Sequence, residues 1–87
     1  MAYRVVLRRS AARELANLPQ PIRGRVTRAV DALATNPRPP GAKLLREPGG
    51  RWRLRIGDYR VLYRVDDDRV VVVVVRVGHR SIAYRNL

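Results

Sequence analysis

The stretch RWRLRIGDYRVLYRV, residues 51–65, decides how the rest of the chain is read. Its first half alternates arginine with large apolar side chains, and a period of two marks a half-buried strand. Trp52, Leu54 and Ile56 then share one face, and Arg51, Arg53 and Arg55 the other. Gly57-Asp58 fits a two-residue hairpin loop, after which a second strand returns. With that loop, Ile56 lies opposite Tyr59, Arg55 opposite Arg60 and Leu54 opposite Val61. Arg53 then meets Leu62, Trp52 meets Tyr63 and Arg51 meets Arg64. One face is apolar and aromatic. The other collects Arg51, Arg53, Arg55, Arg60 and Arg64. Like charges directly opposite one another are unfavourable on a sheet, so an anionic partner is expected for that face. A loop of three or five residues would change the parity and scatter the set.

Downstream, Asp66, Asp67 and Asp68 make a turn, and residues 69–77 form a strand containing six consecutive valines. An all-valine strand reads as central and covered on both faces. Gly78-His79-Arg80 ends it, and residues 81–87 form a short tail, either an edge strand or a frayed helix. Upstream, residues 42–50 read as irregular and NPRPPG, residues 36–41, as a stop and a loop. Before it, Ile22, Val26, Ala29, Val30 and Leu33 form an amphipathic stripe on a helix from Pro21 to about Thr35. A shorter helix spans residues 11–18, with Ser10 as its N-cap and Pro19 as its stop. Residues 2–9 read as the first strand. The order β-α-α-β-β-β predicts an α+β fold: an antiparallel sheet with a helical hairpin packed on one face and the arginine face left open. No linker or repeat divides residues 1–87, so a single domain is expected.

Composition narrows the function. An apolar share of 46% argues against disorder. The absence of cysteine excludes disulfides, thiol nucleophiles and cysteine metal sites, and fits a reducing cytoplasm. The six-valine run is far shorter than the ~20 residues a bilayer span needs, and the N-terminus has no signal-peptide pattern; no membrane partner is expected. A formal charge of +12 calls for an anionic partner, nucleic acid or an acidic protein, with salt-dependent affinity. Lys43 is the one lysine among nineteen basic residues.

One histidine, two serines and seven scattered acids support neither a serine triad nor a metal site, and no phosphate-binding glycine loop matches. No metal and no cofactor is expected. What remains is arginine with tyrosine. Arginine holds phosphate and stabilises charge developing on its oxygens; tyrosine stacks on bases. Together they suit RNA cleavage in which the RNA's own 2′-hydroxyl attacks the adjacent phosphorus. That reaction needs in-line geometry, charge stabilisation, a proton acceptor and a proton donor. His79, of the side-chain type that titrates near neutrality, is either a base beside Arg80 or an exposed turn residue that touches RNA.

The proline loop followed by KLL at 43–45, the strand leading into GDYRVLYRV at 57–65, the acidic turn, the valine strand and VGHR at 77–80 with a later tyrosine form a pattern. Over essentially its full length the chain resembles the RelE/ParE superfamily of small bacterial toxins from type II toxin–antitoxin pairs. The resemblance implies a RelE-like, microbial-ribonuclease-like fold. For the RelE branch it implies a ribosome-dependent endoribonuclease, an mRNA interferase that cuts mRNA in the A site and inhibits translation. Its partners would be mRNA, the ribosome and a cognate antitoxin with an acidic segment over the arginine face. By the same resemblance Arg60 stabilises the transition state, Arg80 assists the leaving 5′-oxygen and Tyr84 stacks on a base. Arg53 and Arg55 match two basic strand residues of the site, and Arg51 and Arg64 add general contacts to RNA. The best-known RelE pattern has lysines at the positions of Arg53 and Arg55, so the proton acceptor stays unassigned, and Tyr84 follows Arg80 at a shorter spacing. The ParE branch implies a DNA gyrase inhibitor without RNA cleavage, and a plain RNA-binding module is a third reading. Arg60, Arg80 and Tyr84 together favour the first.

Overall fold

The elements run β1 (Arg4–Leu7), α1 (Arg9–Ala16), α2 (Ile22–Ala32), β2 (Lys43–Leu44), β3 (Trp52–Ile56), β4 (Tyr59–Asp66) and β5 (Val71–His79). They are those of a computed structural model that describes residues 2–81. The strands form one sheet in the order β1-β5-β4-β3-β2. The α+β class and the expected succession of elements hold, and two features differ. β1 pairs with β5 in parallel, Arg4 with Val71 through Leu7 with Val74, so the sheet is mixed rather than wholly antiparallel. The direction of β5 follows from the antiparallel pairings that link β2, β3, β4 and β5, and it meets β1 running the same way. Within the stretch expected to be irregular, Lys43 and Leu44 pair with Arg53 and Trp52 as a two-residue edge strand.

The hairpin has the register that its two-residue loop dictates, from Trp52 opposite Tyr63 to Ile56 opposite Tyr59. Gly57, at φ 59°, takes the first central position of the loop, where a type II′ turn needs a residue with positive φ. Alternation then sends Leu54, Val61 and Tyr63 to the helices, with Trp52, Ile56 and Tyr59 at the margin of the same core. The helical hairpin covers them with Ala11, Leu18, Val26, Val30 and Leu33, and β5 adds Val72, Val74 and Val77. α1 begins at Arg9 with Arg8 as N-cap and no side-chain cap bond, so Ser10 lies in the first turn rather than capping it. The reason is that the ladder reaches further than expected: the Arg8 N–H still donates to Val74 O at 3.0 Å. α2 starts one residue later than expected, at Ile22, with Pro21 as its N-cap.

β5 has paired edges along its first half. Beyond the end of β1 the edge passes to α1, whose Glu14 accepts the Val77 N–H at 2.9 Å and the Arg76 Nε at 3.2 Å. On the β4 side the register shifts once: Leu62 opposes Arg76, but Tyr63 opposes Val74, which leaves Val75 as an extra residue. This bulge exchanges the two faces of the strand. Val72 and Val74 face the helices before it; Val77 and His79 do so after it, opposite Val61 and Tyr59.

The first valine of the run does not join the strand. Val70 closes the acidic turn at φ 56°, a conformation costly for a β-branched side chain, on the order of 1–3 kcal/mol. Val70→Gly is expected to raise the free energy of unfolding by about 1 kcal/mol, read from the urea midpoint at unchanged slope. At the same end Asp67 ties the residue before β1 to the loop after α2. It accepts the Tyr3 hydroxyl at 2.7 Å and both Arg38 nitrogens at 3.2 and 2.8 Å, which holds its carboxyl below the usual range. Nearby, Tyr63 is fully buried and donates to Pro37 O at 2.7 Å. Burial pushes its hydroxyl up to about 12. A folded value above the unfolded one of about 10 means that this stability is present below pH ~10 and lost as pH rises towards 12, on the order of 2–3 kcal/mol. Tyr63→Phe is expected to cost about 1 kcal/mol at neutral pH and to flatten the alkaline decline measured by urea titration between pH 9 and 12.

Candidate nucleic-acid interface

The face of the sheet away from the helices carries a basic patch spread over three adjacent strands. Lys43 of β2 is directly opposite Arg53 of β3, and Arg55 of β3 is directly opposite Arg60 of β4. Cross-strand partners project to the same side with Cβ atoms ~5 Å apart, so the four cations form two adjoining rows. Arg60 is only 7% exposed and lies next to fully buried Leu62, which is outside the main core cluster. The arginine face is therefore not simply open: it has a small buried floor, with exposed Arg55 beside it and half-buried Arg53 above Leu62. The Arg53 Nε is buried and has no hydrogen-bond partner among the described residues. Lys43, Arg53 and Arg55, with Gly41, line a groove of about 320 Å³, at the small end of the range for ligand sites.

No ion pair among the described residues involves Lys43, Arg53 or Arg55; the carboxylates are spent elsewhere. A larger cleft of about 530 Å³ lies at the other end of β4 and β5, but Asp66, Asp67 and Asp68 line it. Three carboxylates make that cleft a poor site for phosphate. No three metal-ligating side chains converge among the described residues.

The expected set of site residues divides in space. Arg53, Arg55 and Arg60 are brought together. Arg80 joins them at the hairpin end of the sheet: its N–H donates to Asp58 O at 2.8 Å, and its Nε is 3.9 Å from Asp58 Oδ1. Arg51 sits just before β3 and is held by Glu47 through two bonds of 3.1 and 2.6 Å, so its charge is largely neutralised. Arg64 is four residues along β4 from Arg60, roughly 13 Å away, and lines the acidic cleft with its guanidinium against Gly49. His79 is on the helix side, edge-on to Tyr59 at 5.4 Å, with Nδ1 engaged by Ser81. The Val75 bulge puts it there and sets Gly78 opposite Arg60 instead. A Cβ at Gly78 would meet none of the described residues within 4 Å. Tyr84 lies outside the described residues.

Comparison with known proteins bears on the family and the fold. Residues 5–84 match the family described as the ParE toxin of the type II toxin–antitoxin system parDE. The toxin RelG of Mycobacterium tuberculosis is 41% identical over 86 residues, 98% of this chain and 99% of RelG. The chain belongs to the RelE/ParE superfamily of toxins. Its likeness to solved structures lies in the RelE-like branch. The toxin–antitoxin complex RelBE2 from Mycobacterium tuberculosis superposes with a TM-score of 0.80 at 35% identity, covering 93% of this chain and 94% of the other. The archaeal RelE–RelB complex from Pyrococcus horikoshii gives 0.81 at 30% identity, covering 95% and 100%.

This RelE-like toxin has one basic residue in its patch that the sequence reading passed over. Lys43 stood in a segment expected to be irregular, and only the pairing of β2 with β3 reveals which face it shares. The signal in the sequence was faint: an isolated KL before a proline–glycine turn. Crowding of cations on one face also carries a stability cost, because repulsion between exposed strand neighbours is worth up to ~1 kcal/mol. In the toxin, Arg55→Gln is accordingly expected to raise stability by a few tenths of a kcal/mol up to ~1. The gain should shrink between 50 mM and 500 mM salt in thermal or urea unfolding.

Proposed function

We propose that this RelE-like toxin, acting as a single domain over residues 1–87, is a ribosome-dependent endoribonuclease that cuts mRNA in the A site. The observation that carries the reading is the basic patch of Lys43, Arg53, Arg55 and Arg60 on the side of the sheet opposite the helices, in which Lys43, Arg53 and Arg55 make no ion pair among the described residues. A buried guanidinium such as Arg60 is held in place by its surroundings. It can offer fixed donors to the phosphoryl oxygens as negative charge builds on them, without reorganising at the moment of reaction. Arg53 and Arg55 hold the flanking phosphates, and Arg80, 62% exposed at the sheet end, reaches towards the departing 5′-oxygen. Tyr84 stacks on a base by resemblance. The RNA supplies the nucleophile, its 2′-hydroxyl, and the ribosome supplies the alignment of the strand. No helix of the described residues is long and apolar enough to cross a membrane, in keeping with action in the cytoplasm.

Several solved relatives are complexes with antitoxins, which supports a cognate antitoxin here as well. An acidic segment laid over the patch would neutralise the same cations that bind RNA, so inhibition and substrate binding would compete for one set of charges.

The second reading is a gyrase inhibitor that leaves RNA intact, favoured by the ParE description of the matching family. A translating extract separates the two. The ribonuclease reading expects mRNA cut at A-site codons only when ribosomes are present, with cleavage slowed 10²–10³-fold by Arg60→Ala and strongly by Arg80→Ala, both variants keeping the wild-type circular dichroism. Intact mRNA together with inhibited gyrase supercoiling would select the ParE reading instead.

A further inference from the structure

The reaction proposed above needs a group that takes the proton of the attacking 2′-hydroxyl, and most of the basic face cannot supply it. Arg53, Arg55 and Arg60 are guanidiniums, which do not give up a proton in proteins and so cannot accept one. The carboxylates are placed elsewhere. Glu47 is held by Arg51, Glu14 binds the edge of β5, Asp31 is on α2, Asp58 of the hairpin loop is paired with Arg80, and Asp66, Asp67 and Asp68 occupy the far turn. His79 faces the helices, edge-on to Tyr59. Among the described residues this leaves one side chain of the patch with a nitrogen that can exist in a neutral, proton-accepting form.

We infer that Lys43 is the proton acceptor of this toxin, a catalytic residue placed on the basic face by the pairing of β2 with β3. The inference rests on the ribonuclease reading. Its geometry is independent of that reading: Lys43 opposes Arg53 and lines the same groove as Arg53 and Arg55. Among the described residues β2 is an edge strand paired only with β3, and the charged groups that share its groove with Lys43 are those two arginines. Being exposed, its ammonium can exchange protons with water between turnovers.

The step balances as follows. The neutral Lys43 Nζ takes the proton from the 2′-hydroxyl as the O2′–P bond forms. The P–O5′ bond breaks, and the departing 5′-oxygen takes a proton from water. The products are a 2′,3′-cyclic phosphate and a 5′-hydroxyl, and Lys43 returns its extra proton to solvent. Arg53 and Arg55 hold charge throughout and exchange no proton.

Single-turnover cleavage of mRNA on programmed ribosomes tests this with full-length toxin. The wild-type rate is expected to climb with pH. Lys43→Arg keeps the charge but not the acceptor. It is expected to cut 10²–10⁴-fold more slowly, to lose the rising limb of the pH profile, and to bind ribosomes within about threefold of wild type. Lys43→Ala is expected to regain part of its rate with added ethylamine, which a merely structural role would not allow. If wild type cuts and Lys43→Arg cuts equally fast with the same pH profile, the assignment of Lys43 falls and the ribonuclease reading stands. If wild-type toxin leaves ribosome-bound mRNA intact, both fall together.

Discussion

Hydrogen bonding along both edges of β5 is the constraint on which the fold rests. A run of valines offers no polar side chain, so every N–H and C=O of the strand must find a backbone or side-chain partner. β4 satisfies one edge along the whole length. The other edge is divided between β1, which covers residues 71–74, and the Glu14 carboxylate, which takes the Val77 N–H. These two partners come from consecutive segments of the N-terminal region. The start of the chain is thereby fixed against its last described strand, and α1 is carried directly onto the core. The helices can then cover only one face, and the other is left for cations.

That second face is held together against its own electrostatics. Arg55 opposite Arg60 and Lys43 opposite Arg53 set like charges at neighbouring positions, while Leu62 gives them only a small apolar base. The apolar contacts that offset this repulsion lie on the helix side, through Tyr63, Leu33, Val26, Val30 and Val61, all fully or almost fully buried. The division of labour is typical of a binding surface: one side of the sheet stabilises, and the other is maintained at a cost until a ligand of opposite charge arrives. The same logic explains why Arg51 and Arg64, each close to carboxylates, belong less to the patch than their numbering suggests.

Much of this could be read from the residues alone, and the failures have physical causes. The hairpin register was legible because a two-residue loop and strict alternation leave one parity. The helices were legible because Ile22, Val26, Ala29, Val30 and Leu33 recur with helical spacing. The parallel pairing of β1 was not legible, since strand direction across a long connection leaves no local mark. β2 is two residues long, too short for any periodicity, so Lys43 could not be assigned a face. Ser10 has the chemistry of a cap, but the ladder between Arg8 and Val74 decides where the helix begins. The kinship to RelE-like toxins was legible in GDYRVLYRV and VGHR because those motifs combine turn geometry with the positions of Arg60 and Arg80.

The bulge at Val75 has a consequence for how such a chain can vary. Within a homopolymer, composition is blind to register, and only the number of repeats carries information. Remove the extra valine, and the ladder closes into plain alternation: Arg76 still opposes Leu62 and His79 still opposes Tyr59, so the imidazole stays with the helices and Gly78 stays beside Arg60. The run can thus lose the residue at its bulge without changing which side chains either face presents; what it gives up is the local kink and added twist that a bulge provides.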